Sequence, residues 1–172
     1  MASWSIGFFA LLVANLYFRL DAVTWPPAGA PEPPVLVGGL ATLVALASSA
    51  AYHWGLTGIE PPRASRARLV KGLFAATALA FVFLLVQLGA GRAAATRGLV
   101  WDRSVYAAFF WITAGFHYLH VVVGFAAGLW LALRARSGAY GPAAHLPVRL
   151  WGYYWHSIGL IWVLIYLFLF LL

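Results

Sequence analysis

Long apolar runs alternate along the chain with short stretches of proline, glycine and charge. Five such runs can be marked, at about 3–20, 35–56, 69–90, 104–135 and 149–172. About 20 apolar residues are needed for a helix to cross the hydrocarbon core of a bilayer. The pattern therefore predicts an all-α fold, a polytopic membrane bundle of about five transmembrane helices in a single integral-membrane domain spanning 1–172. The separators fit that reading. Arg19 and Asp21 close the first run, and the stiff connector from Thr24 to Pro34 holds five of the nine prolines, which suit neither helix interior nor sheet. Small residues recur every four positions as Ala41, Ala45 and Ser49 in the second run, Gly72, Ala76 and Ala80 in the third, and Gly124 and Gly128 in the fourth. Such stripes let helices approach closely in a membrane.

Composition removes several function classes. Hydrophobic residues make up 64% and charged residues 9% of the chain, against about 25% charged in a soluble domain. Nothing of domain size is left for a catalytic centre in water. Without cysteine there are no disulfides or thiolate ligands. The net charge of +7 sits at run ends, so nucleic acid is not expected as a partner. The first run lacks a basic leader and a cleavage site and reads as a retained span. Arg63, Arg66, Arg68, Lys71, Arg134, Arg136 and Arg149 fall in the second and fourth connectors against Glu60 alone, whereas Arg19, Arg92, Arg97 and Arg103 share the first and third with Asp21, Glu32 and Asp102. The positive-inside rule then puts the N-terminus in the cytoplasm and the C-terminus in the periplasm.

The candidate chemistry lies in histidine. No Asp or Glu falls inside a run, and no internal repeat is visible, which argues against an autonomous proton pump or transporter. Phosphate loops, serine-nucleophile motifs and HExxH sites are missing, so no catalytic residue and no metal site is expected. His117 and His120 lie mid-run in the fourth span, on one helix face. One reading pairs either of them with His156 across spans four and five as haem ligands. The other makes them interhelical hydrogen-bonding groups. His53 reads as interfacial and His145 as a solvated loop residue. Trp4, Trp25, Trp54, Trp101 and Trp151 suit belts at the two interfaces, and Gln87 reads as capping the outer end of the third span. Arg134, Arg136 and Arg149, where spans four and five meet the cytoplasmic face, suit anionic lipid headgroups, although topology alone also accounts for them.

Trp25-Pro26-Pro27 after the first run, Gln87 at the end of the third, FHYLHVVVG from Phe116 to Gly124, and YYWH followed by Trp162 and Tyr166 together resemble subunit III of the haem–copper oxidases, in its short five-span form, over nearly the whole chain. The resemblance implies a non-catalytic subunit of a cytochrome c oxidase, which reduces O2 to water in aerobic electron transport, in a bacterial inner membrane. Haem and copper are then expected in partner subunits and not in this chain. The partners would be oxidase subunits I and II and membrane phospholipid, with a larger respiratory supercomplex left open. His117, His120, Gly124, Gly128, Trp155 and His156 become helix-packing residues. A quinol oxidase subunit III or a nitric oxide reductase accessory subunit is the alternative, because subunit II sets the donor. A stand-alone haem-b protein, with His117, His120 and His156 as ligand candidates, is the third reading. The resemblance also exposes departures. Acids usual in the family are replaced here by Ile6, by Gly89-Ala90-Gly91 and by Gly159, which weakens any transfer of its proton-related role.

Overall fold

The computed structural model describes the backbone of residues 2–59 and 64–171, and side chains from residue 6 onward in those ranges. Glu60, Arg63, Leu172 and the side chain of Trp4 lie outside the described residues. Five α-helices follow one another: α1 (Ala2–Asp21), α2 (Val35–Leu56), α3 (Arg66–Thr96), α4 (Val105–Arg136) and α5 (Leu146–Tyr166). A 3-10 turn at Thr57–Ile59 prolongs α2, and a π turn at Leu167–Leu171 prolongs α5. Four of these units, from α2 to α5, are long and apolar enough to cross a membrane. With 20 residues, α1 is about 30 Å long, the thickness of the hydrocarbon core.

Local chemistry sets the helix ends. Ser65 and Ser104 cap α3 and α4, each side chain accepting from the backbone N–H three residues on (Arg68 at 3.4 Å, Ala107 at 3.1 Å). Both helices end on a glycine with φ of 87°, Gly98 and Gly138. In each case the glycine and the next residue donate back into the last turn, Gly98 to Ala95 and Leu99 to Ala94, Gly138 to Ala135 and Ala139 to Arg134. That bonding needs a left-handed residue, which glycine adopts without a Cβ penalty. Pro147 stands in the first turn of α5, where its missing N–H costs nothing.

Several sequence expectations change here. α3 runs 31 residues, or about 47 Å, longer than the hydrocarbon it crosses. Arg66, Arg68, Lys71 and Arg92, expected in loops, are therefore helical. Gln87 does not cap the end of a span; it is buried within α3, more than two turns before Thr96. His145 is not free in a loop. It occupies the position just before α5, half-buried, with its Nδ1 3.2 Å from the Gly141 carbonyl.

α2, α3, α4 and α5 form a closed ring in which each helix packs on its sequence neighbour and α5 also returns to α2. α1 docks on α4. Leu36, Leu43, Leu46, Ile112, Leu119 and Val123 all point outward and are exposed. An apolar exterior of this extent is stable in lipid or against another apolar subunit, not in water.

Candidate functional site

The α2–α3 seam supplies the rigid side of the bundle. Gly72, Ala76 and Ala80 are all buried on α3. On α2 the facing line is Ala41, Ser48 and Gly55, buried, whereas Ala45 and Ser49 are only half-buried. Ser48 Oγ donates to the Ala76 carbonyl at 2.8 Å, and Gly55 lies directly against Gly72.

α5 is tied to its neighbours by aromatic side chains with polar tips. Trp155 Nε1 donates to Ser48 Oγ at 3.0 Å, so Trp155, Ser48 and Ala76 form a relay across three helices. Trp162 Nε1 donates to Thr42 Oγ1 at 3.0 Å, which in turn donates to the Gly38 carbonyl. Trp151 Nε1 donates to the Gly124 carbonyl at 2.9 Å, and Tyr154 donates to that of His120 at 3.0 Å. Tyr52 on α2 donates to the Val148 carbonyl at 3.1 Å. Trp151 is therefore not an interfacial belt residue. It is buried and stacked on Trp155 at 5.2 Å, because Gly128 leaves room for its ring. Trp54 and Trp101 are exposed, and Trp25 packs edge-on against Tyr106.

Gly124 and Gly128 do not bring two backbones together. An added β-carbon would stand 2.8 Å from Trp155 Cζ3 at Gly124 and 2.6 Å from Trp151 Cζ2 at Gly128. These glycines are sockets for indole rings.

His117 is 1% exposed, and its Nε2–H donates to the Ile158 carbonyl at 3.2 Å. Phe83, Trp162 and Phe8 surround it at ring distances of 5.8, 5.1 and 6.0 Å. Its Nδ1 has no partner among the described residues. His117, Ser49 and Gly159 line a void of about 20 Å³ at the centre of the ring. His120 donates from Nδ1 to the Phe116 carbonyl at 2.7 Å, with Phe8 on its ring at 5.1 Å. His156 does not converge with them. It is exposed on α5, edge-on to Tyr52 at 5.3 Å, while Ile158, two residues on, meets His117. Among the described residues no three His, Cys, Asp or Glu side chains are grouped as a metal site would require. Ile6 is exposed on α1.

Sequence reasoning passed over Asn15 and Thr113, both 1% exposed with polar side-chain atoms unpartnered among the described residues. Each such group costs about 1–3 kcal/mol. It also read Arg66 as a connector charge and missed its capping role. The Arg66 Nε donates to the Ala135 carbonyl at 3.3 Å and another guanidinium nitrogen to that of Arg136, so α3 caps the end of α4. Arg134, Arg136 and Arg149 are exposed near that same end, with the Arg134 guanidinium 5.5 Å from the Trp130 ring.

The family model for cytochrome c oxidase subunit III matches residues 5–172. The cytochrome c oxidase subunit 3 of Synechocystis sp. is 30% identical over 166 residues, 96% of this chain and 69% of that protein. The Thermostichus vulcanus protein of the same name is 31% identical over 173 residues, covering all of this chain and 83% of its own length. That of Locusta migratoria is 29% identical over 150 residues, 83% of this chain and 53% of its own.

Proposed function

Since the chain belongs to the cytochrome c oxidase subunit III family, we propose that it serves as a helical scaffold packed on oxidase subunits I and II. It is a non-catalytic subunit of the complex, so the haem and copper belong to its partners. The observation that carries the scaffold reading is the use made of polar groups in α5: Trp151, Tyr154, Trp155 and Trp162 each spend a donor on a neighbouring helix. His117, His120, Gly124, Gly128, Trp155 and His156 are packing residues in this reading, with His156 edge-on to Tyr52. Arg134, Arg136 and Arg149 grip anionic lipid headgroups, supported by their exposure around the Arg66-capped end of α4. The membrane is a bacterial inner membrane, with the N-terminus in the cytoplasm, as the arginine distribution favours.

Mass spectrometry of what co-purifies with the chain in mild detergent tests the reading. Recovery of a large haem- and copper-bearing membrane subunit is expected, together with a subunit II that names the donor. A chain that purifies alone and carries haem would overturn it and return His117, His120 and His156 to the position of ligands.

A further inference from the structure

We propose that α1 and α4 enclose a line of bound water molecules running from Arg19, at the connector end of α1, to His117 inside the bundle. The observation that carries it is where the unsatisfied polar groups lie. Among the described residues, five buried side-chain polar atoms have no hydrogen-bond partner: Asn15 Oδ1 and Nδ2, a guanidinium nitrogen of Arg19, Thr113 Oγ1 and His117 Nδ1. All five fall on one seam. Arg19 follows Asn15 by four residues and His117 follows Thr113 by four, so each pair shares a helix face. The two faces meet because α1 packs antiparallel on α4. Phe8 lies against Phe116 and His117 at ring distances of 4.8 and 6.0 Å, and Phe18 against Phe109 at 5.5 Å. Asn15, between Phe8 and Phe18 on α1, is thereby level with the turn that carries Thr113.

Spacing and burial name the ligand. One helical turn is about 5.4 Å, close to two hydrogen bonds of about 2.8 Å end to end. A single water therefore spans Thr113 to His117, and another spans Arg19 to Asn15. The Asn15 amide both donates and accepts, so it continues such a line instead of ending it. Asn15, Thr113 and His117 are each 1% exposed, which leaves no room for an organic ligand. A cation would meet the Arg19 guanidinium and no carboxylate among these four residues. At the inner end, the void of about 20 Å³ lined by His117 has space for one water, since about 10–15 Å³ suffices. Hydrocarbon can satisfy none of these atoms. The contrast is Trp155, whose Nε1 is already bonded to Ser48. Through the line, an imidazole otherwise walled by Phe8, Phe83 and Trp162 can exchange its proton with water on the connector side. The inference rests only on α1 and α4 lying in a membrane, not on which subunits accompany the chain.

Radiolytic labelling tests it, with the full chain and whatever partners accompany it held in lipid nanodiscs in ¹⁸O-water. X-rays make hydroxyl radicals from bound water, and these oxidise the side chains beside it. His117 and Phe8 should be labelled more than Trp151, although an indole is intrinsically more reactive than an imidazole and Trp151 is itself only 5% exposed. Thr113→Val keeps the shape and removes the hydroxyl, so labelling of His117 and Phe8 should fall while that of Trp151 is unchanged. Thr113→Ser should restore it. His117 and Phe8 labelled no more than Trp151 would overturn the proposal, and mean that Asn15 and Thr113 bond each other directly. Labelling of His117 that Thr113→Val leaves unchanged would overturn it too, because water would then arrive by another route. Should Thr113→Val fail to assemble, the comparison with Trp151 in the unaltered protein decides alone.

Discussion

Gly55 and Gly72 meet backbone to backbone, so that a β-carbon added at Gly55 would stand 2.8 Å from the Cα of Gly72. Neither partner is a side chain that can rotate aside, and relief requires α2 and α3 to separate. Gly72→Ala should cost about 1–3 kcal/mol, the usual penalty for overpacking. Gly159→Ala is the contrast, because its β-carbon would lie 3.5 Å from Ser49 Oγ, an ordinary contact. Unfolding midpoints of the two purified variants in denaturing detergent should separate clearly, and coincident midpoints would refute the close seam.

Gly124→Leu should reduce recovery of the assembled protein more than His53→Ala. The reason is the Trp155 ring, which an added β-carbon at Gly124 would approach to 2.8 Å, whereas His53 is exposed. If the indole is the obstacle, Gly124→Ala and Trp155→Phe should be strongly non-additive, since residues in contact couple. Additive losses in a double-mutant cycle would count against the socket.

Ser48→Ala should be milder than either glycine change. It leaves Trp155 Nε1 without an acceptor and removes the donor to the Ala76 carbonyl. Hydrogen bonds between membrane helices average about 0.6 kcal/mol and reach about 1.7 kcal/mol. A loss within that range, with Trp155→Phe adding little once Ser48 is gone, is the expected result. A loss above that of Gly72→Ala would mean that the relay, not the seam, holds the ring closed.

Arg66→Ala should loosen the last turn of α4 without unfolding the bundle. Its guanidinium meets the Ala135 and Arg136 carbonyls at the negative end of the helix dipole, where a cation contributes about 0.3–1 kcal/mol. Hydrogen exchange should accelerate for amides near Leu133–Ser137 and stay unchanged around His117. Uniform acceleration along α4 would contradict a local cap.

The helices were legible because apolar runs of bilayer length leave few alternatives, and His117 stood out as an imidazole amid them. Their ends were less legible. Arg66 and Arg92 look like loop residues to a hydropathy reading, but both lie within α3. The glycine stripe of α4 was visible, yet its occupant was not, since spacing alone cannot tell a backbone from the Trp151 and Trp155 rings that arrive from α5. Ser48 is one position from the small-residue stripe read on α2, and only the rotation of the helix put it in the seam.

His117 separates packing from ligation by its response to shape. Its imidazole fills a space walled by Phe8, Phe83 and Trp162 and adds a second donor to the Ile158 carbonyl. His117→Leu keeps most of the volume and removes the unpartnered Nδ1, so loss of the bond should be largely offset. His117→Ala opens a cavity there and should cost about 2–5 kcal/mol, as large-to-small changes in cores do. A metal or haem ligand would show the opposite pattern, with Leu and Ala equally damaging because both lack the nitrogen. Thermal unfolding of the two variants, alongside their haem absorbance per chain, distinguishes the cases. Equal destabilisation accompanied by haem loss would make His117 a ligand, whereas a stable His117→Leu and an unstable His117→Ala would make its role steric.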